Sequence, residues 1–442
     1  MSNHTCKIAV LGDWHLAFVT AGVLADRGHQ TTLVNTLTYS KSAWTKNPDL
    51  PVHEPGLREM YDATISKGLL RFSNITELRE KFDGYWLAID TPVNDKDEPD
   101  LNPLWETLKT VSKTVQNIEN GAIVMISSQV PLGFCREVQK TLGLRVSYIP
   151  ENLRLGKGIE TFLKADRTVI GADTAEVRDF TKSVMQNFET QFLLCNLPTA
   201  EMIKHANNIF LATSISFANE LARVGDGLDV DSHVVATALK QDKRIGPGAY
   251  VAPGLGFAGG TLPRDLRVLS QMGRSLKIPT PLVDAVLSVN EMSNDALAQS
   301  VLRLLPKGGK VLILGYTYKA DTDALRRSPS IELAQKLKPH GVELHGFDPF
   351  MNGKDLSTTS SLWKHHDMVE DIPRPDVVIL MTTRPQFKEL AWPQLAKRWQ
   401  GDGQINSEER PVVFDTQGFF QSETIVKAGL KYKRLWTSGV QQ

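Results

Sequence analysis

Short apolar runs alternate with amphipathic stretches through the first half of the chain. Residues 7–11, 31–34, 85–89, 122–126 and 146–149 predict buried strands, and 14–27, 56–68, 102–117 and 132–142 predict helices. That alternation predicts a doubly wound parallel sheet, which 167–171 and 191–194 extend. From Pro198 to about Leu239 the strand signal fades and apolar residues recur at helical spacing. Residues 264–275 and 281–305 continue that helical character until Pro306-Lys307-Gly308-Gly309 breaks the chain. A second strand–turn–helix series follows, with strands at 310–314, 342–346, 376–381 and 411–415 and a helix at 330–337. The fold class is therefore α/β, with two Rossmann-like doubly wound parallel sheets joined by a central helical region. The expected parts are an α/β domain at 1–196, a helical region at 197–305, and a second α/β domain at 306–442.

Composition narrows the class. The 442 residues are 41% hydrophobic and 23% charged, as in a globular protein with real cores. The formal net charge is zero, which gives no electrostatic footprint for nucleic acid or an anionic membrane. Three cysteines, Cys6, Cys135 and Cys195, form no paired framework, and a reducing cytoplasm is the expected compartment. No apolar run approaches the ~18 residues of a membrane span. No metal site is expected: His53-Glu54-Pro55-Gly56 lacks a second histidine, and His365-His366 reads as a surface pair.

The first strand opens into Gly12-Asp13-Trp14-His15-Leu16-Ala17, set against the dinucleotide fingerprint G-x-G-x-x-G/A. Gly12 and Ala17 fit the first and third places, and Trp14 departs from the second. Trp14, His15 and Leu16 lead into the helix whose N-terminal amides suit a pyrophosphate. Asn35 ends the second strand where an acidic residue ordinarily holds the adenosine ribose, so NAD is expected and NADP stays open.

The segment from Gly254 to Asp265, GLGFAGGTLPRD, resembles the active-site loop G-x-G-F-G-G-x-C-x-P-K-D of the UDP-glucose/GDP-mannose dehydrogenase family. Other segments resemble that family in its own order. They are the turn with Thr91 and Pro92, the turn with Gln129, Pro150-Glu151-Asn152-Leu153-Arg154, and Glu201 to Asn208 as E-x-x-K-x-x-x-N. Asp242-Lys243-Arg244-Ile245-Gly246 with the following Tyr250, Gly315 to Lys319, Thr322 to Pro329 with Arg326, and Asp348-Pro349 complete the series.

The resemblance implies a nucleotide-sugar oxidoreductase that uses NAD, takes a UDP-linked hexose and works as a homodimer, with dinucleotide binding at 1–196, dimerisation at 197–305 and nucleotide-sugar binding at 306–442. It assigns cofactor contacts to Gly12, Trp14, His15, Leu16, Asn35, Thr91, Pro92 and Gln129. It assigns catalysis to Lys204, Asn208, Asp265, Glu151 and position 261. Substrate contacts fall to Glu151, Arg154, Lys204, Arg244, Tyr250, Gly254, Gly256, Phe257, Gly260, Lys319 and Arg326. In the family the loop cysteine traps an aldehyde so that a second oxidation can follow; here the position holds Thr261. A threonine hydroxyl is a weak nucleophile without a dedicated base, so a two-electron step ending at a carbonyl is expected. Three alternatives stay open: a non-catalytic nucleotide-sugar-binding subunit, an acid formed through a Thr261 ester, and a transient oxidation that serves an epimerase.

Overall fold

The computed structural model describes residues 5–40, 44, 50, 54–92, 99–115, 123–150, 153, 156–318, 320, 325, 328–354, 356–357, 359–400, 406–437 and 439–441. The expectations for Glu151, Arg154, Lys319 and Arg326 fall outside these residues. The chain divides into two compact units, 1–207 and 208–442.

The first unit holds an eight-stranded sheet. Its strands are β1 (Lys7–Leu11), β2 (Gln30–Asn35), β3 (Leu70–Asn74), β4 (Gly84–Leu87), β5 (Ile123–Ile126), β6 (Arg145–Tyr148), β7 (Thr168–Ala172) and β8 (Phe192–Cys195). Their spatial order is β3-β2-β1-β4-β5-β6-β7-β8. The first six follow the order of a doubly wound dinucleotide fold, whose switch point lies between β1 and β4. Every pairing is parallel except β6 with β7, where the chain re-enters the sheet in the opposite direction. Helices α1 (His15–Asp26), α2 (Leu57–Ser66), α3 (Asn102–Val115), α4 (Phe134–Leu142), α5 (Gly158–Leu163) and α6 (Ala175–Val184) accompany these strands. Strands such as Ile123–Ile126 are buried along their whole length, as a sheet covered on both faces requires. Separate apolar clusters fill the two faces, one around Leu87 and Phe134, the other around Phe18, Tyr61 and Trp86.

Helix α7 (Leu197–Asp226) contains the boundary between the units. The second unit continues with α8 (Ser232–Gln241), α9 (Thr261–Ser275) and α10 (Pro281–Leu304). Its six strands are β9 (Lys310–Leu314), β10 (Glu343–Phe347), β11 (Lys364–His365), β12 (Val377–Leu380), β13 (Val412–Asp415) and β14 (Lys431–Arg434). The order β11-β10-β9-β12-β13-β14 repeats the doubly wound arrangement, all parallel, with a second switch point between β9 and β12. Helices α11 (Pro329–Leu337), α12 (Trp392–Gln400) and α13 (Ser422–Lys427) complete it. Val301 of α10 and Ala222 of α7 share an apolar cluster with β9, so this part of the helical region packs with the second sheet. Among the described residues no helix is long and apolar enough to cross a membrane.

Candidate functional site

Gly12 is wedged at the first switch point. A Cβ there would lie 2.5 Å from the Ala88 carbonyl oxygen and 2.7 Å from the Ala17 Cβ, so only glycine lets β1 turn into α1 beside β4. Trp14 is the N-cap of α1 in extended backbone, and its ring lies 5.4 Å from that of Tyr39. The His15 side chain faces inward: Nε2 is 2.8 Å from Oε2 of buried Glu54, whose carboxylate also accepts from the amides of Gly156 and Gly158. Glu54, part of the His53-Glu54-Pro55-Gly56 segment, is thus a clasp for the chain after β6. Asn35 is fully buried, and its Oδ1 closes a turn onto the Leu37 amide. The acid near this turn is Asp13, which accepts from Thr36 Oγ1 and from the amides of Tyr39 and Ser40.

The turns after β4 and β5 are stitched together. Thr91 Oγ1 donates to the Gln129 carbonyl at 2.7 Å, and the Ile89 amide donates to Ser128 Oγ at 2.9 Å. Glu201, fully buried on α7, accepts from the amides of Gly133 and Cys135 and so caps α4. Gly12, Ala17, the start of α1 and these two strand-end turns fit a dinucleotide: a tight turn, a helix N-terminus and adjacent strand ends are all present. Within this arrangement the Asp90 carboxylate receives the Leu16 amide hydrogen at 3.2 Å.

The glycine-rich loop of the second unit is held mainly by asparagines. Asn219 Oδ1 accepts from the Gly254 amide at 2.9 Å. Asn290 accepts from the Phe257 amide and donates to its carbonyl, at 2.8 and 3.0 Å. The Trp436 indole donates to the Gly254 carbonyl at 2.8 Å. A Cβ on Gly256 would meet Asn290 and Asn294, and one on Gly259 would meet the Tyr318 ring, all within 2.7 Å. Gly254 and Gly260, by contrast, have open space where a side chain would project. The loop delivers Thr261, exposed, as the first residue of α9, and buried Asp265 one turn later. Asn208 Nδ2 donates to Asp265 Oδ2 at 2.5 Å, and Arg264 Nε lies 3.8 Å from Oδ1. Lys204, one turn before Asn208 on α7, is buried. Arg244 is not gathered into this cluster; its guanidinium is exposed and forks onto Asp242, which it holds below the ordinary carboxylate range. Tyr250 is exposed as well.

At the second switch point, a Cβ on Gly315 would collide with the Thr382 carbonyl, so β9 and β12 close tightly there. Arg384 and Asp348, both buried, pair at 3.0 Å. Arg384 also donates to Thr317 Oγ1, Asp348 accepts from the Tyr316 amide, and Thr382 Oγ1 donates to the Thr317 carbonyl. Residues 315–317, which follow β9, are therefore fixed from the ends of β10 and β12. Arg384 escaped the sequence reading because no local pattern marks it. The histidine pair is not on the surface. His366 is buried, and its Nε2 lies 2.9 Å from Nδ1 of buried His345, while His365 Nδ1 is 2.7 Å from the Tyr316 hydroxyl. At the edge strand β11, His365 thus meets Tyr316, and the following His366 meets His345 of β10.

None of the three thiols is activated. Burial, with Asp83 nearby, pushes Cys6 up to about 11. Burial and Glu201 push Cys135 well up, and burial raises Cys195. All three lie in the first unit.

Comparison with known proteins places this geometry in a family. The UDP-glucose/GDP-mannose dehydrogenase family matches through its NAD binding domain at 6–189, its central domain at 198–292 and its UDP binding domain at 312–422. A UDP-glucose 6-dehydrogenase of Rickettsia prowazekii is 29% identical over 96% of this chain and 98% of that protein. The UDP-glucose 6-dehydrogenase TuaD of Bacillus subtilis is 27% identical over 96% of this chain and 92% of that protein. The structure of a UDP-glucose dehydrogenase from Pyrobaculum islandicum superposes with a TM-score of 0.81 at 27% identity, covering 99% of each chain. Two doubly wound sheets, a glycine loop feeding α9 and the matched domains lead to one assignment: the chain belongs to the UDP-glucose/GDP-mannose dehydrogenase family, the NAD-dependent nucleotide-sugar oxidoreductases.

Proposed function

We propose that the protein oxidises the sugar of a UDP-linked hexose by two electrons and stops at the carbonyl. The observation that carries this reading is Thr261, a hydroxyl at the first residue of α9, one turn before an Asp265 that Asn208 holds in place. A thiol at a helix N-terminus is favoured as its thiolate, whereas a hydroxyl is not ionised there without a base. The chain's own thiols sit in environments that keep them protonated.

NAD, when bound along Gly12–Ala17 and the turns of Thr91–Pro92 and Gln129, supplies the hydride acceptor. The chain's residues handle the rest. Asp265, through a water, takes the proton of the substrate hydroxyl. Asn208 donates to Asp265 and keeps the carboxylate oriented, and Lys204 steadies the developing negative charge on the sugar oxygen. One C–H hydride and one O–H proton leave, and the product is a carbonyl. Reduction of the same carbonyl is the reverse of this step.

The three-part division at 1–196, 197–305 and 306–442 assigns the cofactor to the first part and the nucleotide sugar to the last, with Gly254, Gly256, Phe257 and Gly260 shaping the sugar's surroundings. Phe210, Phe217, Leu221 and Val224 expose an apolar stripe along α7, which suits a second copy of the chain. A second reading, a nucleotide-sugar-binding subunit without turnover, draws its support from the Asp90 carboxylate at the start of α1. A panel of nucleotide sugars incubated with NAD and analysed by mass spectrometry separates the two. A product two mass units lighter supports oxidation to the carbonyl. A uronic acid, or no product from any sugar, contradicts it.

A further inference from the structure

The start of α1 already holds a negative charge. Leu16 donates its amide hydrogen to Asp90 Oδ2 at 3.2 Å from across the switch point. The Tyr39 hydroxyl donates to the Asp90 carbonyl at 2.7 Å, and the Tyr39 ring lies against Trp14. Asp13 in turn fixes the amides of Tyr39 and Ser40 at 2.8 and 2.7 Å. Asp90, Tyr39, Trp14 and the 36–40 turn thus form one connected group over the first turn of α1. A dinucleotide's diphosphate uses the same amides and the same positive end of the helix dipole. A carboxylate on the Leu16 amide competes with it directly.

We propose that Asp90 is a built-in counter-anion that sets cofactor affinity: it takes the diphosphate's position in the chain alone and must move aside for NAD. The proposal rests on the reading that NAD binds along Gly12–Ala17. Its consequence is selective. Ligands carrying a diphosphate meet the Asp90 charge, whereas adenosine, which carries none, does not. Asp90 also stabilises α1 as an anion near its N-terminus. Removing the charge therefore has opposite effects on the free chain and on the loaded one.

The test is calorimetric titration of ADP, NAD and adenosine into the wild-type protein and Asp90→Asn at low ionic strength, with thermal melts of each. Asp90→Ser serves as a second variant if the first fails to fold. The expected result is ADP and NAD binding about tenfold tighter to the variant, with adenosine unchanged. The ligand-free melt drops while the ADP-induced rise grows, and added salt shrinks the difference between the proteins. A purely structural Asp90 would lower the melt without tightening ADP. Equal or weaker binding of ADP and NAD to the variant overturns the proposal and leaves the cofactor reading standing. So does an equal gain for adenosine. If neither protein binds ADP or NAD, both fall together.

Discussion

Thr261 occupies a position whose electrostatics suit a thiolate. It opens α9, where unsatisfied amides and the helix dipole favour negative charge. Thr261→Cys therefore creates a reactive thiol. Iodoacetamide at pH 7 should alkylate it at least about tenfold faster than any native cysteine, because Cys6, Cys135 and Cys195 are held protonated by burial. Peptide mapping after timed labelling checks this, and equal rates would contradict the site's polarity. The residues most legible in the sequence were those that belong to ordered motifs. Asn208 and Asp265 each stand in such a motif, and their hydrogen bond to one another is seen only in the fold. Asp90 on Leu16 was not legible, since that contact joins residues 74 apart and leaves no periodic trace. His15 was legible as a position but not as a contact, because its partner Glu54 comes from a distant segment.

At the scale of elements, the turn after β9 depends on a buried ion pair. Arg384→Met leaves the Asp348 carboxylate buried without its guanidinium, which costs about 3–5 kcal/mol. Urea unfolding of the single variant and of Arg384→Met with Asp348→Asn measures it; the double variant should recover part of the loss. The β10–β11 edge predicts an acid response. Burial holds His345 and His366 below the ordinary imidazole value of 6.5, and the rings face Glu343, Lys310, Lys364 and Asp371. The unfolded chain then binds more protons than the fold below pH 6.5. Stability is full above that pH and falls as acid is added through the window beneath it. His366→Asn should flatten the fall in melting temperature between pH 7 and 5.5, and an unchanged slope would contradict the assignment. The elements missed by pattern share a cause. β11 is two polar residues and β14 is Lys-Tyr-Lys-Arg, edge strands whose apolar content is too low to register. β3, Leu-Arg-Phe-Ser-Asn, is also an edge strand. The central strands, continuous apolar runs buried on both faces, were read with little error.

For the whole molecule, the six-stranded second sheet repeats the order of the first six strands of the first sheet, and the family's NAD binding and UDP binding domains match over the two. The second α/β series was visible because strand and helix signals recur on either side of the helical stretch, whereas the strand order within each sheet was not. The antiparallel β6–β7 pair was not, since direction within a sheet is set by how a connection packs. The apolar stripe on α7 predicts self-association. Phe217→Asp with Val224→Asp should convert a dimer to a monomer in light scattering at micromolar concentration, and an unchanged mass would contradict that use of the stripe. The central claim is that a chain with a hydroxyl at the head of α9 moves one hydride per sugar. Counting NADH formed against UDP-sugar consumed, in one reaction run to completion, tests it most directly. The account predicts one NADH per sugar with a carbonyl product. Two NADH per sugar with a carboxylate would contradict it.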